Sequence, residues 1–127
     1  MDDENMAILK GLVCVAWADG RIAGEENEII EGLIEAFEAT PTEKRVIQLF
    51  AKEPRSLGDV PIHELSYDDR RVLLQHAVLV TFVDGEQHEK EKKLLGELCE
   101  VLRIPSIEAQ GIVAAAEQRA RTMLNQL

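Results

Sequence analysis

Apolar residues recur along this chain three and four positions apart, the spacing of α-helices, and strand-like alternation is nearly absent. The stretch that ends at about Ala18 and the stretch that ends at about Val83 are apolar on almost every side. A helix with this pattern must be covered all round, whereas a surface helix needs only one apolar face. The pattern therefore predicts an all-α protein whose first and fourth helices form a central pair surrounded by the others.

Capping residues divide the chain into a compact bundle of about six helices. Thr40–Glu43 reads as an N-cap, a proline in the first turn and a capping-box acid, and opens the third helix. Ser66 is the predicted N-cap of the fourth helix. Glu53–Leu65 contains two prolines and a glycine, which predicts a connector with at most one helical turn after Asp59. The predicted helices cover about residues 3–18, 24–39, 41–52, 66–83, 89–103 and 106–124, in a single domain of residues 1–127.

Two segments of the chain match each other when Leu12–Phe37 is placed on Ala77–Leu102. The loop residues that coincide are Asp19-Gly20 with Asp84-Gly85, and Glu26 with Glu91. Apolar helix positions coincide as well. Two amphipathic helices can always be aligned, but here the loop residues agree at the same offset. The sequence therefore predicts an internal two-fold repeat of a helix–Asp-Gly loop–helix unit, with units at about 7–39 and 70–104.

The charge of the chain limits its partners. Fourteen Lys and Arg residues against 24 Asp and Glu residues give a net charge of −10. Nucleic-acid binding proteins usually carry the opposite sign, because their affinity depends on neutralising phosphates. We therefore expect no nucleic-acid partner, and an acidic surface that serves solubility or attracts a cation or a basic partner.

No segment predicts a secretory signal or a membrane span. Met1–Glu4 is acidic where a secretory signal would be basic, and the most apolar runs are shorter than the ~20 residues that a membrane helix needs. Cys14 and Cys99 lie in apolar helical stretches without a CxxC motif, which favours buried, unpaired thiols in a reducing compartment. We expect a cytoplasmic protein without a transmembrane segment, although it could still be recruited to a membrane complex.

Each Asp-Gly pair stands where an apolar helix ends and a new helix begins a few residues later. Glycine suits the left-handed conformation that commonly ends a helix, but an aspartate there meets unfavourable charge. Glu26 and Glu91 fall in the first turn of the next helix, seven positions after Asp19 and Asp84. Two interpretations stay open. The carboxylates either bind loop amides and join the helices, or they are oxygen ligands of a divalent cation such as Ca²⁺ or Mg²⁺.

The segment Asp19–Glu26 matches the second half of an EF-hand loop, in which Asp, Gly, Ile and Glu take positions 5, 6, 8 and 12. Positions 1 and 3 would be Val15 and Trp17, and in the second loop Val80 and Phe82. None of these side chains has an oxygen to offer a cation. The sequence thus excludes a complete EF-hand and leaves one half-site, or two half-sites that combine.

These loops resemble the TerB-like tellurite-resistance family. The resemblance lies in Asp19–Ile22 with Glu26 after an apolar helix, and in the second copy at Asp84-Gly85 with Glu91; it covers about Ala7 to Ala120. It implies an all-helical bundle with internal pseudo-two-fold symmetry, and a role in bacterial stress or phage-resistance complexes at the inner membrane. It also implies metal binding by the acidic loops, with Asp19, Glu26, Asp84 and Glu91 as ligands.

The second loop departs from the family pattern. Gln87 stands where the first loop has the apolar Ile22, and Lys90, Lys92 and Lys93 surround Glu91. Three ammonium groups weaken a cation site, so the first loop is the stronger candidate.

Two binding functions remain, beside a weaker third, a small hydrolase that would need an open coordination position on a bound metal. The first is a TerB-like stress-response scaffold that binds a divalent cation through its acidic loops. The alternative is a metal-independent protein–protein interaction domain that holds a partner in an apolar groove between helices or at Glu53–Leu65. A protein partner is expected in either case, and the oligomeric state is left open. We expect no enzyme, because the chain has no Gly-rich phosphate loop, no HExxH and no Gly-x-Ser-x-Gly.

Overall fold

The computed structural model describes residues 3–18, 24–81 and 89–125, without the side chains of residues 24–26, 29, 80, 89–91 and 123–125. Every regular element in these ranges is helical, and they contain no strand, so the predicted all-α class is confirmed. The α-helices are α1 (Asp3–Trp17), α2 (Gly24–Ala36), α3 (Pro41–Lys52), α4 (Tyr67–Thr81), α5 (Glu89–Val101) and α6 (Ser106–Asn125). No helix of this described part is long and apolar enough to cross a membrane.

Helices α1 and α4 form the most extensive helix pair of the molecule, as the apolar pattern predicts. Nine residues of α1 are buried; they are all the residues from Ala7 to Ala16 other than Lys10. The two helices approach closely at Gly11, where an added Cβ atom would lie 2.6 Å from Cδ2 of Leu73. The core is therefore centred on this pair, with α2 and α3 against α1, and α5 and α6 against α4.

Helix α3 begins with the predicted capping box. The Oγ1 atom of Thr40 accepts a hydrogen bond from the backbone N–H of Glu43 at 3.2 Å, and the Glu43 carboxylate accepts one from the Thr40 N–H at 2.9 Å. At its other end, the indole N–H of Trp17 donates to the carbonyl oxygen of Ala51 at 2.8 Å. The buried Ile47 packs between these two ends, so α3 is fixed against α1.

The connector between α3 and α4 contains two 3₁₀ turns, Leu57–Asp59 and Ile62–Glu64. The second is the turn predicted after Asp59. The first is an addition to the prediction, and forms because the Asp59 carboxylate accepts a hydrogen bond from the Ser56 N–H at 2.9 Å. After the connector, the Ser66 hydroxyl accepts a hydrogen bond from the Asp69 N–H at 3.1 Å, so Ser66 is the N-cap of α4 as predicted.

Helices α2 and α5 are each shorter than predicted. The sequence pattern extends them to Ala39 and Arg103, but the helices stop at Ala36 and Val101. The reason is a left-handed residue after each helix, Glu38 with φ 57° and Arg103 with φ 56°. A residue in this conformation reverses the chain and ends the helical hydrogen bonding.

Each hydrogen bond that closes α2 has a counterpart at the end of α5. The two sets are separated by the same number of residues as the two Asp-Gly loops. Each helix end has a backbone N–H that reaches five residues back, at 3.2 Å in both cases, in the pattern of a Schellman motif. The bonds are Ala39 N–H to Ile34 C=O, and Ile104 N–H to Cys99 C=O.

Candidate functional site

The predicted metal ligands fall on parts of the chain that the structure leaves undescribed. Asp19 and Asp84 lie outside the described residues. Glu26 and Glu91 are the third residues of α2 and α5, in the first helical turn, and their side chains are outside the description too. The cation site therefore stays a prediction. Among the side chains that are described, no group of three or more His, Cys, Asp or Glu residues could hold a metal ion.

The described part of the molecule has an open groove of about 510 Å³ between α5 and α6. Its floor is apolar and includes Leu95, Ile104 and Ala109, each of which is buried in the core. The partly buried Cys99 and Val113 also line it. Such a combination of an apolar floor and an open side is typical of grooves that bind an apolar ligand.

The corresponding pair of helices in the first half of the chain, α2 and α3, is joined by polar side chains. Glu31 of α2 accepts a hydrogen bond from Nε2 of Gln48 at 3.4 Å. The other carboxylate oxygen of Glu31 lies 3.5 Å from Nζ of Lys44, and both partners belong to α3. Glu31 thus bridges the two helices on the outer side of their contact.

In the groove between α5 and α6, the described residues place no side chain where Glu31 stands, since α5 carries Gly96 there. In the second half of the chain, the position equivalent to Glu31 is Gly96, and the positions equivalent to its two partners are Ala109 and Val113. Gly96 has no side chain, and a Cβ atom built there would meet no atom within 4 Å. Gly96, Ala109 and Val113 therefore leave the groove open at this place.

The rim of the groove is acidic on balance. Among the described residues that line it, Glu100 and Glu117 contribute two carboxylates and Lys92 one ammonium group. Glu100 is exposed and Glu117 is half-buried, so both carboxylates can meet a ligand that lies in the groove. The groove is therefore suited to an apolar ligand that carries positive charge at its edges.

The two thiols differ in exposure. Both are free, and burial raises the pKa of Cys14 to about 12, with the Asp59 carboxylate acting in the same direction. The sequence predicts that Cys99 is buried too, but it is only partly buried, because the groove opens beside it. Burial also raises the pKa of the Cys99 thiol.

The residues of the groove are absent from the ligands predicted above, although the sequence contains a signal for them. The alignment of the two halves sets Gly96 against Glu31 and sets two apolar residues against Lys44 and Gln48. At the offset that places Leu12–Phe37 on Ala77–Leu102, a glycine thus stands opposite an acid in two helices whose apolar positions agree. The difference between Glu31 and Gly96 can be interpreted only once the contacts of Glu31 with Lys44 and Gln48 are known.

A comparison of the chain with protein-family models, curated proteins and solved structures finds no match.

Proposed function

We propose that this protein is an interaction module that binds an amphipathic helix of a partner protein in the groove between α5 and α6. The observation that carries the proposal is the apolar floor left open at Gly96, where α2 and α3 are instead joined through Glu31. A helix recognised in such a groove presents apolar residues at positions i, i+3, i+4 and i+7. The absent side chain at Gly96 lets the backbone of that helix approach α5.

The partner helix carries basic residues beside its apolar stripe. Lysine or arginine residues at that place would meet Glu100 and Glu117 at the rim. Charges at a rim of this kind contribute more to the rate of association and to specificity than to affinity. The apolar floor therefore supplies most of the binding energy, and the acidic rim selects among helices.

A synthetic helix tests this proposal. A peptide of about 15 residues, or four helical turns, with a leucine stripe flanked by lysines is titrated against the protein by fluorescence anisotropy. A scrambled peptide with the same charge should bind at least about tenfold more weakly, which corresponds to about 1.4 kcal/mol. Bound peptide should also slow the reaction of Cys99 with a thiol reagent, because Cys99 lines the groove.

The matched variants are Gly96→Glu and Gly32→Glu. Both positions are exposed glycines inside helices where an added Cβ atom meets nothing within 4 Å. Both variants add the same charge, but only Gly96→Glu places a side chain across the groove. We expect only Gly96→Glu to weaken peptide binding. Equal affinity for the ordered and scrambled peptides, or an equal effect of the two variants, would contradict the proposal.

Divalent-cation binding in a TerB-like module is the second candidate function. It is supported by a structural correspondence between the two halves of the chain in the described residues. The matching ends of α2 and α5, and the starts of α3 at Pro41 and α6 at Ser106, keep the same offset. These relations support a duplicated unit of three helices, in which Glu26 and Glu91 occupy equivalent positions. In this second candidate function, the protein is a scaffold in a bacterial stress-response complex.

A cation titration tests this second candidate. Calcium or magnesium should raise the melting temperature in proportion to the logarithm of concentration above Kd. Trp17 is the sole tryptophan and precedes Asp19 by two residues, so its fluorescence should change with the same midpoint. The double variant Asp19→Asn with Glu26→Gln should abolish both responses. A melting temperature independent of either cation, with a double variant destabilised by about 1–3 kcal/mol, would instead show that the carboxylates bind loop amides.

A further inference from the structure

We infer that a second copy of this chain supplies the helix that occupies the groove, and that this helix is α3. The inference depends on the proposed function, since it names the partner of the same groove. It starts from the outer face of α3, which carries exposed apolar side chains next to basic ones.

Two large apolar residues of α3 are exposed, Val46 with 41% and Leu49 with 50% of its surface accessible. They are three positions apart and therefore lie side by side on one face of the helix. Arg45 and Lys52 are exposed next to them. The outer face of α3 thus offers two of the apolar positions of a groove-binding helix, i and i+3, with basic side chains beside them.

The charges favour this pairing within a protein that otherwise repels its own copies. The chain carries a net charge of −10, but α3 contains three basic residues and one acid. The rim of the groove carries Glu100 and Glu117. Contact between α3 and the groove therefore joins opposite charges, whereas most other contacts between two copies would join like charges.

One copy cannot fill its own groove. Ile47, on the opposite face of α3, is 1% exposed and holds the helix against α1, while the groove lies between α5 and α6. The contact therefore forms between copies and joins two different surfaces. An interface of this head-to-tail kind leaves one groove and one α3 free at the ends of an assembly, so it continues into longer chains unless the copies close into a ring.

The experiment measures the mass of the protein by analytical ultracentrifugation over a range of concentrations up to about 500 µM. The wild type should associate in steps. Gly96→Glu, which blocks the groove, and Leu49→Glu, which disrupts the apolar stripe, should each be monomeric. Both positions are exposed, and circular dichroism confirms that the variants are folded. Gly32→Glu is the control with equal charge and should associate like the wild type.

Mixing the two monomeric variants is the decisive step. The Gly96→Glu copy retains an intact α3, and the Leu49→Glu copy retains an intact groove, so an equimolar mixture should form a 1:1 heterodimer and nothing larger. A wild type that stays monomeric, a single variant that still associates, or a mixture that stays monomeric would overturn the inference. If the synthetic helix nevertheless binds and Gly96→Glu prevents it, the proposed function stands with a different partner. If neither self-association nor binding of the synthetic helix is observed, both the inference and the proposed function are overturned.

Discussion

At the scale of single residues, Gly11 decides how closely the two central helices approach. Alanine there would place its Cβ atom 2.6 Å from Cδ2 of Leu73, so this buried side chain, which has no exposed surface, would have to shift within the core. Overpacking of this kind lowers the free energy of unfolding by about 1–3 kcal/mol. The better helix propensity of alanine offsets up to about 1 kcal/mol of that loss. We expect Gly11→Ala to lower the free energy of unfolding by about 1–2 kcal/mol, measured by urea denaturation.

Gly32→Ala and Gly96→Ala are the controls for that substitution. A Cβ atom at either position meets nothing within 4 Å. Both variants should be more stable than the wild type by about 0.5–1 kcal/mol, because only the helix propensity changes. A Gly11→Ala protein that is stabilised like these two would show that α1 and α4 separate without cost.

The two thiols should react at different rates. Cys14 has no exposed surface, whereas Cys99 lines the open groove. A neutral thiol reagent should therefore label Cys99 in the native protein, and label Cys14 only at the rate of unfolding. Mass spectrometry of partly labelled protein, with Cys99→Ser as the control, measures both rates. Equal rates for the two residues would contradict the exposure of Cys99.

At the scale of elements, the capping box of α3 makes stability depend on pH. The hydrogen bond from the backbone of Thr40 lowers the pKa of Glu43 from its ordinary value of 4.5. A carboxylate whose pKa is lower in the folded state stabilises the fold above pH 4.5, and this stabilisation is lost as the pH falls through the folded-state pKa. We expect the free energy of unfolding, measured by denaturation between pH 7 and pH 3, to decline in that window.

Glu43→Gln separates the capping hydrogen bond from the titration. Glutamine can accept the same hydrogen bond from Thr40 but does not titrate. The difference in stability between the wild type and this variant should shrink below pH 4.5. Thr40→Ala should cost about 1 kcal/mol at neutral pH. A wild-type advantage that stays constant down to pH 3 would show that Glu43 does not contribute through its charge.

The sequence predicts the beginnings of these helices better than their ends. Thr40 and Ser66 are recognisable because their side chains have the chemistry of an N-cap. Glu38 and Arg103 adopt the left-handed conformation that glycine usually takes. Because neither residue is a glycine, the sequence does not indicate where α2 and α5 end. Each of these residues lies where the chain turns towards the next helix, α3 after Glu38 and α6 after Arg103, and no side-chain pattern marks that turn.

At the scale of the molecule, the central pair is predictable and the groove is not. Helices that are apolar all round have to be buried, which places α1 and α4 in the middle from the sequence alone. The groove is open at Gly96, and the sequence does not reveal this opening until Gly96 is compared with Glu31 and with the contacts that Glu31 makes. The cation site is predictable as a pattern of carboxylates, but its geometry lies in segments outside the described residues.

The central pair joins helices from opposite halves of the chain, and this has a consequence for how the protein folds. Without α4, the face of α1 that includes Gly11 would be exposed although α2 and α3 still cover its other side, and α4 would lose the surface that covers Leu73. A cut at the exposed Gly58 in the connector separates the two halves. Each fragment should be largely unstructured on its own, because neither can bury its central helix completely. Mixed, they should recover the helical circular dichroism of the intact protein with a midpoint that depends on concentration. The protein would thus serve as a split reporter, in which each half folds only where the other is present.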